Sequence, residues 1–252
     1  MLNVIWRSKI KYQQKDLKIN EVKSGNVVEN MIPIIKKSRA EKREDLRNEI
    51  LEASIELFLE QGYEKTTTRQ ILQKVSIRNG SLYNIFRNKE DIFNAVMIDA
   101  LTESMNEAEK YLGEEITPLD RIAFPLCMEI YAASRSVRIA GLLAVSNKKW
   151  DIMNSACEML MQWIADHDPD REVVKKGNGL KLKMVAFVGA LGNVVERFEK
   201  EPDSMTASES AHVLFKILVA TFNIKAKNIQ ERVDSILKIL SENEIRICGV
   251  LI

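Results

Sequence analysis

Between Lys65 and Lys89 the sequence carries six cations, Lys65, Arg69, Lys74, Arg78, Arg87 and Lys89, and no carboxylate. Such a stretch can do electrostatic chemistry: it can lie against a phosphate backbone with nothing in it to repel the anions. The segment before it is the reverse, with Glu41, Glu44, Asp45, Glu49, Glu52, Glu56, Glu60 and Glu64 crowded together. The whole chain has 37 Lys plus Arg against 36 Asp plus Glu, a formal charge of +1, so no global field draws it to nucleic acid and any attraction is local. Covalent chemistry finds little support. There is no Gly-rich phosphate loop, no metal-ligand spacing, and neither His167 nor His212 stands near a nucleophile in a recognisable motif. The chain therefore reads as a binding protein without enzyme activity or cofactor. Cys127, Cys157 and Cys248 are odd in number and far apart, which argues against a disulfide framework or a zinc site and for a reducing cytoplasm. No apolar run reaches the length of a membrane span, and the N-terminus lacks signal-peptide features.

The elements that must position these cations are helices. Residues 1–40 hold nine basic residues against three acidic ones with no sustained period, and read as a basic, mostly disordered arm. Met31 offers an internal start that would leave a short basic lead-in. From about Arg43 the pattern is helical: Ile50, Ser54, Leu57 and Phe58 mark one face, and Gly62 is placed to end the helix. Thr67 followed by Gln70 is a capping box that opens a second helix buried on Ile71, Leu72 and Val75. A turn near Ser76 and Ile77 leads to a short third helix over 79–86, and Asn88 with Asp91 caps a longer one running to about Tyr111. Further helices are expected at about 118–134 (Thr117 cap, interrupted or kinked by Pro125), 136–147, 150–166, 180–200, 206–223 and 225–242, with a polar loop over 167–179. No strand-like alternation of convincing length appears, so the class is all-α.

A helix, a tight turn and a second short helix is the geometry that places one helix in a major groove while the other braces it. The residues of "ILEASIELFLEQGYEKTTTRQILQKVSIRNGSLYNIFRNKEDIF", 50–93, closely resemble the DNA-binding domain of the TetR family of transcriptional regulators. An aromatic after a Gly, a Thr-led short helix, a "G-[ST]-L-Y-x-x-F" helix and a following "x-K-E-x-[LIF]" occur in the family's order. The resemblance implies an N-terminal three-helix helix-turn-helix domain over 41–93 and a helical ligand-binding and dimerisation domain over 94–252. Carried over, it makes Thr67 and Thr68 open the second helix toward a phosphate and makes Tyr83 and Lys89 backbone contacts, which position without reading bases. It places Arg69, Asn79, Ser81 and Asn84 where base edges are contacted, chemistry that Arg and Asn perform on guanine and adenine. Leu82 and Phe86 are expected to pack the third helix down. This sequence departs from the family pattern in having Ser76 at the usual turn Gly, Arg78 at a small polar cap, and Leu72 and Val75 at small positions.

The resemblance further implies a homodimer on a palindromic double-stranded operator, by family habit a repressor, released by a small-molecule effector. For the dimer contact the sequence favours 180–198, with Gly189, Ala190 and Gly192 for close approach, and 206–223, with Val213, Leu214, Ile217, Leu218 and Ala220, giving four helices from two subunits; burial within one subunit is the plainer alternative. Phe124, Met128, Tyr131, Met153 and Trp163, within a set that also holds Trp150, Met159 and Met161, suit an apolar or amphipathic ligand, although each alone is more often core. The competing reading is a DNA-binding interaction or nucleoid protein with no small-molecule ligand, which the absence of a cavity would favour.

Overall fold

The computed structural model describes residues 37–113, 117–167, 179–224, 226–247 and 249–252. The expected basic arm thus lies almost wholly outside the described residues, and so does most of the 167–179 loop. Within them are ten helices: α1 (Arg39–Gln61), α2 (Thr68–Val75), α3 (Asn79–Tyr83), α4 (Lys89–Leu112), α5 (Pro118–Arg135), α6 (Val137–Lys148), α7 (Trp150–His167), α8 (Leu180–Lys200), α9 (Ala207–Phe222) and α10 (Ile229–Glu242).

Local chemistry sets most of the boundaries. α1 starts earlier than the apolar period implies, because Ser38 and Glu41 form a capping box in which Ser38 N donates to Glu41 Oε2 at 2.7 Å and Glu41 N to Ser38 Oγ at 3.1 Å. At its far end Gly62 adopts φ 87° and donates its N–H to Phe58 O at 2.9 Å. The Thr67–Gln70 box opens α2 as expected, and Asn88 Oδ1 accepts from Asp91 N at 2.8 Å to open α4. α3 is shorter than expected, ending at Tyr83. α5 runs through Pro125 without interruption. α10 begins at 229 rather than 225, because Asn223 and Asn228 both take left-handed backbone and turn the chain between α9 and α10. The all-α expectation has one small exception. Arg246–Ile247 (β1) pairs antiparallel with Val250–Leu251 (β2), a hairpin too short to register as alternation.

Ser38–Ile252 form one compact unit, and α4 runs unbroken across the boundary expected at 93/94. Inside it the apolar residues segregate into three clusters. The first, with Ile50, Ile71, Leu82, Phe86, Ile92 and Val96, binds α1 to α4 into the helix-turn-helix head. The largest joins α5 with α8, α9 and α10 around Phe124, Leu191, Phe198 and Phe215. The third lies between them and unites Phe58, Tyr63 and Phe93 with Leu142 of α6 and Ile152 of α7. Polar ties reinforce the packing. The Arg47 guanidinium donates to both oxygens of Asp99, at 3.2 and 3.5 Å, fastening α1 to α4. Arg232 of α10 pairs with Asp120 of α5.

Ser76 is the residue on which the α2–α3 turn depends. It holds φ 59°, ψ 35°, and its N–H and that of Ile77 close the end of α2 on Gln73 O and Leu72 O. Left-handed backbone costs a residue with a Cβ roughly 1 to 2 kcal/mol, which glycine avoids at some expense in unfolded-state entropy. Ser76→Gly should therefore stabilise the protein by about 1 kcal/mol, seen as a higher midpoint in chemical denaturation. An unchanged or lowered midpoint would mean that the serine side chain relieves the strain.

Candidate nucleic-acid interface and cavity

The three threonines that open the cationic stretch have separate duties. Thr66 is buried, and its hydroxyl donates to Gly62 O at 2.9 Å, sealing the end of α1. Thr67 is exposed but uses its hydroxyl within the capping box, donating to Gln70 Oε1 at 2.9 Å and accepting from Gln70 N at 3.3 Å. Thr68, half-buried, is the first residue of α2. The N–H groups of Thr68 and Arg69 are thus left at the helix end, where a phosphate is favoured.

Beyond them Arg69 and Arg78 are exposed, as is Lys65 before them. Arg78 precedes α3 and makes no side-chain cap, so its guanidinium is not drawn into the helix end. Asn79 opens α3, but its side chain is outside those described. Ser81 is half-buried, Tyr83 keeps 56% of its surface exposed, and Asn84 is exposed at the end of the helix. Leu82 and Phe86 are buried in the head's core.

Not every cation faces outward. Lys74 turns back to α1, with Nζ 2.7 Å from Glu56 and 3.9 Å from Glu60. Lys89 donates from Nζ to Tyr63 O at 2.8 Å and Glu64 O at 3.4 Å, and lies 4.1 Å from the centroid of the Tyr63 ring. Its charge closes the turn after α1 as well as bordering the cationic face. One contributor escaped the sequence reading. Arg43, 41 residues away, donates to Asn84 O at 3.3 Å and brings the basic start of α1 beside the end of α3. Its signal in the sequence is the basic run from Lys36 to Arg43, which falls across the expected division between an arm ending at 40 and a helix starting at about Arg43.

Below the head lies a cavity of about 190 Å3. Of the five expected ligand residues, Met128 and Met153 border it. Phe124, Tyr131 and Trp163 do not: Phe124 is fully buried and stacks on Tyr111 with centroids 6.4 Å apart, Tyr131 is half-buried on α5, and Trp163 is buried beneath the Arg121 guanidinium at 5.7 Å. Bulky aromatics suit core and pocket alike, so their type alone did not separate the two roles. The wall instead includes Ile55 and Leu59 of α1, Met97 and Leu101 of α4, and Val250 and Ile252 at the C-terminal end. Its polar side chains are Ser104, Glu129, Ser146 and Asn147.

Glu129 stands out among them. Asn147 Nδ2 donates to its Oε1 at 3.3 Å, and burial pushes the carboxyl up from an ordinary 4.5 to about 7 against the opposing pull of that hydrogen bond. Gly192 of α8 makes room for the arrangement, since a Cβ there would stand 2.8 Å from Asn147 Cβ. Gly192 therefore serves α6–α8 contact within one chain. The buried thiols of Cys127 and Cys157 are pushed up to about 12 and about 11 by the same loss of hydration, which leaves them unreactive.

A carboxyl with a raised folded pKa holds its proton where the unfolded chain has lost it, so stability falls as pH rises from 4.5 to about 7. Glu129→Gln should then be more stable than wild type at pH 8, by at most about 3 kcal/mol, and no more stable near pH 4. Urea denaturation at the two pH values checks this, and a pH-independent difference between the proteins would contradict it.

Comparison with known proteins agrees with this architecture. Residues 50–96 match the family model of bacterial regulatory proteins, tetR family. The chain is 20% identical over 118 residues to the fatty acid metabolism regulator protein of Bacillus subtilis (strain 168), covering 46% of this chain and 61% of that protein. It is 30% identical over 76 residues to the HTH-type transcriptional repressor KstR2 of Mycolicibacterium smegmatis, covering 30% of this chain and 37% of that protein. The chain therefore spans less than two thirds of the length of either. Among solved structures, RolR in complex with resorcinol superposes with TM-score 0.58 at 17% identity, over 77% of this chain and 96% of that one. Thermus thermophilus FadR in complex with lauroyl-CoA does so with TM-score 0.53 at 15% identity, over 72% and 97%. The helix-turn-helix head over residues 50–96 thus matches the tetR family of bacterial regulatory proteins in sequence, and the helical body is similar in fold to RolR and FadR.

Proposed function

We propose that the protein is a dimeric, cytoplasmic transcriptional regulator that represses from a palindromic operator and is released by a small apolar or amphipathic effector. The observation that carries this reading is the shared wall: Ile55 and Leu59 of α1, the helix that buries the head's core, also border the cavity. An occupant of the cavity is thereby in contact with the DNA-binding head itself. It also touches Leu142 and Ile152, which pack against Phe58, Tyr63 and Phe93. An effector that favours a displaced α1 and α4 changes the separation of two heads on half-sites about 34 Å apart, and linkage then requires DNA to weaken effector binding by the same factor. The presence of a cavity favours this over a ligand-free nucleoid protein. RolR holding resorcinol and FadR holding lauroyl-CoA support the same use of the helical body.

On DNA, Thr68, Tyr83 and the N-terminus of α2 serve as backbone contacts, with Thr67 fixing that terminus. Arg69, Asn79, Ser81 and Asn84 face the bases, and Lys89 supports the turn that presents them. For dimerisation the exposed stripes are Leu182, Ala186 and Gly189 on α8 and Val213, Ile217 and Ala220 on α9. Leu214 and Leu218 are buried in the chain's own core, so the charged substitution that probes the dimer belongs at Val213 rather than at Leu218.

Two measurements test this. In salt-dependent fluorescence titrations with operator DNA selected from genomic fragments, Arg69→Ala should cost about 1 to 3 kcal/mol of binding and leave the thermal midpoint unchanged. Lys89→Ala should lower stability without DNA by about 1 to 2 kcal/mol and so does not isolate the interface, whereas undiminished DNA binding in Arg69→Ala combined with Tyr83→Ala would reject it. In sedimentation, Val213→Glu should weaken the dimer roughly 100-fold with helical content intact. A wild-type monomer at micromolar concentration would end the dimer reading.

A further inference from the structure

Glu129 makes no ion pair among the described residues, and burial beside the cavity pushes its carboxyl up, so its presence asks for a use in the cavity it borders. The Ser104 hydroxyl donates to Leu101 O at 2.7 Å and that of Ser146 to Leu143 O at 2.8 Å, leaving each oxygen with only lone pairs to offer. Asn147 spends one N–H on Glu129. The polar points on an otherwise apolar wall are therefore mostly acceptors, and Glu129 is the one ionisable side chain among the described lining residues. The size of the space adds a second constraint. An apolar cavity of about 150 Å3 accepts benzene, and the space here is about 190 Å3.

Resting on the reading of this cavity as the effector site, we propose that Glu129, oriented by Asn147, is the recognition point for an effector of about one substituted ring that carries a hydrogen-bond donor and no negative charge. A phenolic or other O–H, or an N–H, of the effector donates to the carboxyl. A ligand carboxylate meets a like charge in a medium that screens it poorly. Acidic molecules of equal size are rejected for that reason, and ethers of equal size bind through apolar contact alone. Gly192 belongs to the same device, because it lets Asn147 lie close enough to hold the carboxyl.

The test is calorimetric, on the full chain without DNA at pH 7.5, with 4-propylphenol, 4-propylanisole and 4-propylbenzoate as probes. Wild type should bind the phenol at least tenfold more tightly than the ether, and the ether at least tenfold more tightly than the benzoate. Glu129→Leu should bind the phenol and the ether alike. The near-isosteric Glu129→Gln should keep its preference for the phenol and lose most of the discrimination against the benzoate, which guards against a folding defect in the leucine variant. Equal binding of phenol and ether by wild type, persistence of the preference in Glu129→Leu, or no binding of any probe would overturn the proposal. Adding operator DNA separates the two readings. A phenol that binds with this pattern yet leaves DNA affinity unchanged removes the coupling and leaves the recognition point standing, whereas DNA release by a different class of compound does the opposite.

Discussion

The packing of Tyr63 between Phe58 and Phe93 is the contact on which the arrangement of head and body turns. Its ring centroid lies 5.5 Å from that of Phe58 and 4.5 Å from that of Phe93, and Phe58 and Phe93 meet edge to face at 5.4 Å. Two ammonium groups cover the same ring, Lys89 Nζ at 4.1 Å and Lys149 Nζ at 5.0 Å from its centroid. Lys149 is in turn paired with Glu90 at 2.7 Å. One residue just beyond Gly62 thus joins the end of α1, the start of α4 and the α6–α7 corner. Aromatic pairs and cation–π contacts of this kind contribute on the order of 1 kcal/mol each beyond the area they bury, so together they make the joint stiff.

The joint and the cavity share residues. Leu142 and Ile152 pack on the aromatic trio from one side and border the cavity on the other. Close-packed interiors transmit displacement because they have little free volume in which to absorb it. The turn between α2 and α3 stands in contrast, held by a strained Ser76 and leading into a five-residue helix without a side-chain cap. α3 is therefore the least self-sufficient element of the head, and its pose depends on Leu82 and Phe86 finding their places in a core that α1 and α4 build.

How much of this was legible beforehand follows the range of the interactions. Gly62, the Thr67–Gln70 box, Asn88 with Asp91, and the Thr117 cap act over three or four residues, and each marks the helix end where it was expected. Leu82 in the short α3 and Phe86 just beyond it were legible as core from their places in the G-[ST]-L-Y-x-x-F pattern. The residues of the cavity wall were not legible in the same way. Phe124, Trp163 and Met128 look alike in sequence, yet only Met128 borders the cavity. Glu129 drew no notice, because a lone acid in an apolar helix gives no sign of whether it reaches solvent.

The sequence by itself determined the helical class, the segregation of cations between Lys65 and Lys89, and the family of the head, because these rest on periodicity, on composition and on motifs closed within a few dozen residues. Only the tertiary structure decided which of those cations remain outward. It turned Lys74 onto Glu56 and Lys89 onto the Tyr63 carbonyl, and it brought in Arg43 from 41 residues away. It also decided that Gly192 serves contact within the chain, and that an acid on α5 and an amide on α6 share one cavity wall with α1. The physical reason is that charge and polarity are properties of a residue, whereas burial and partnership arise when distant helices pack, and local spacing does not encode which helices those will be.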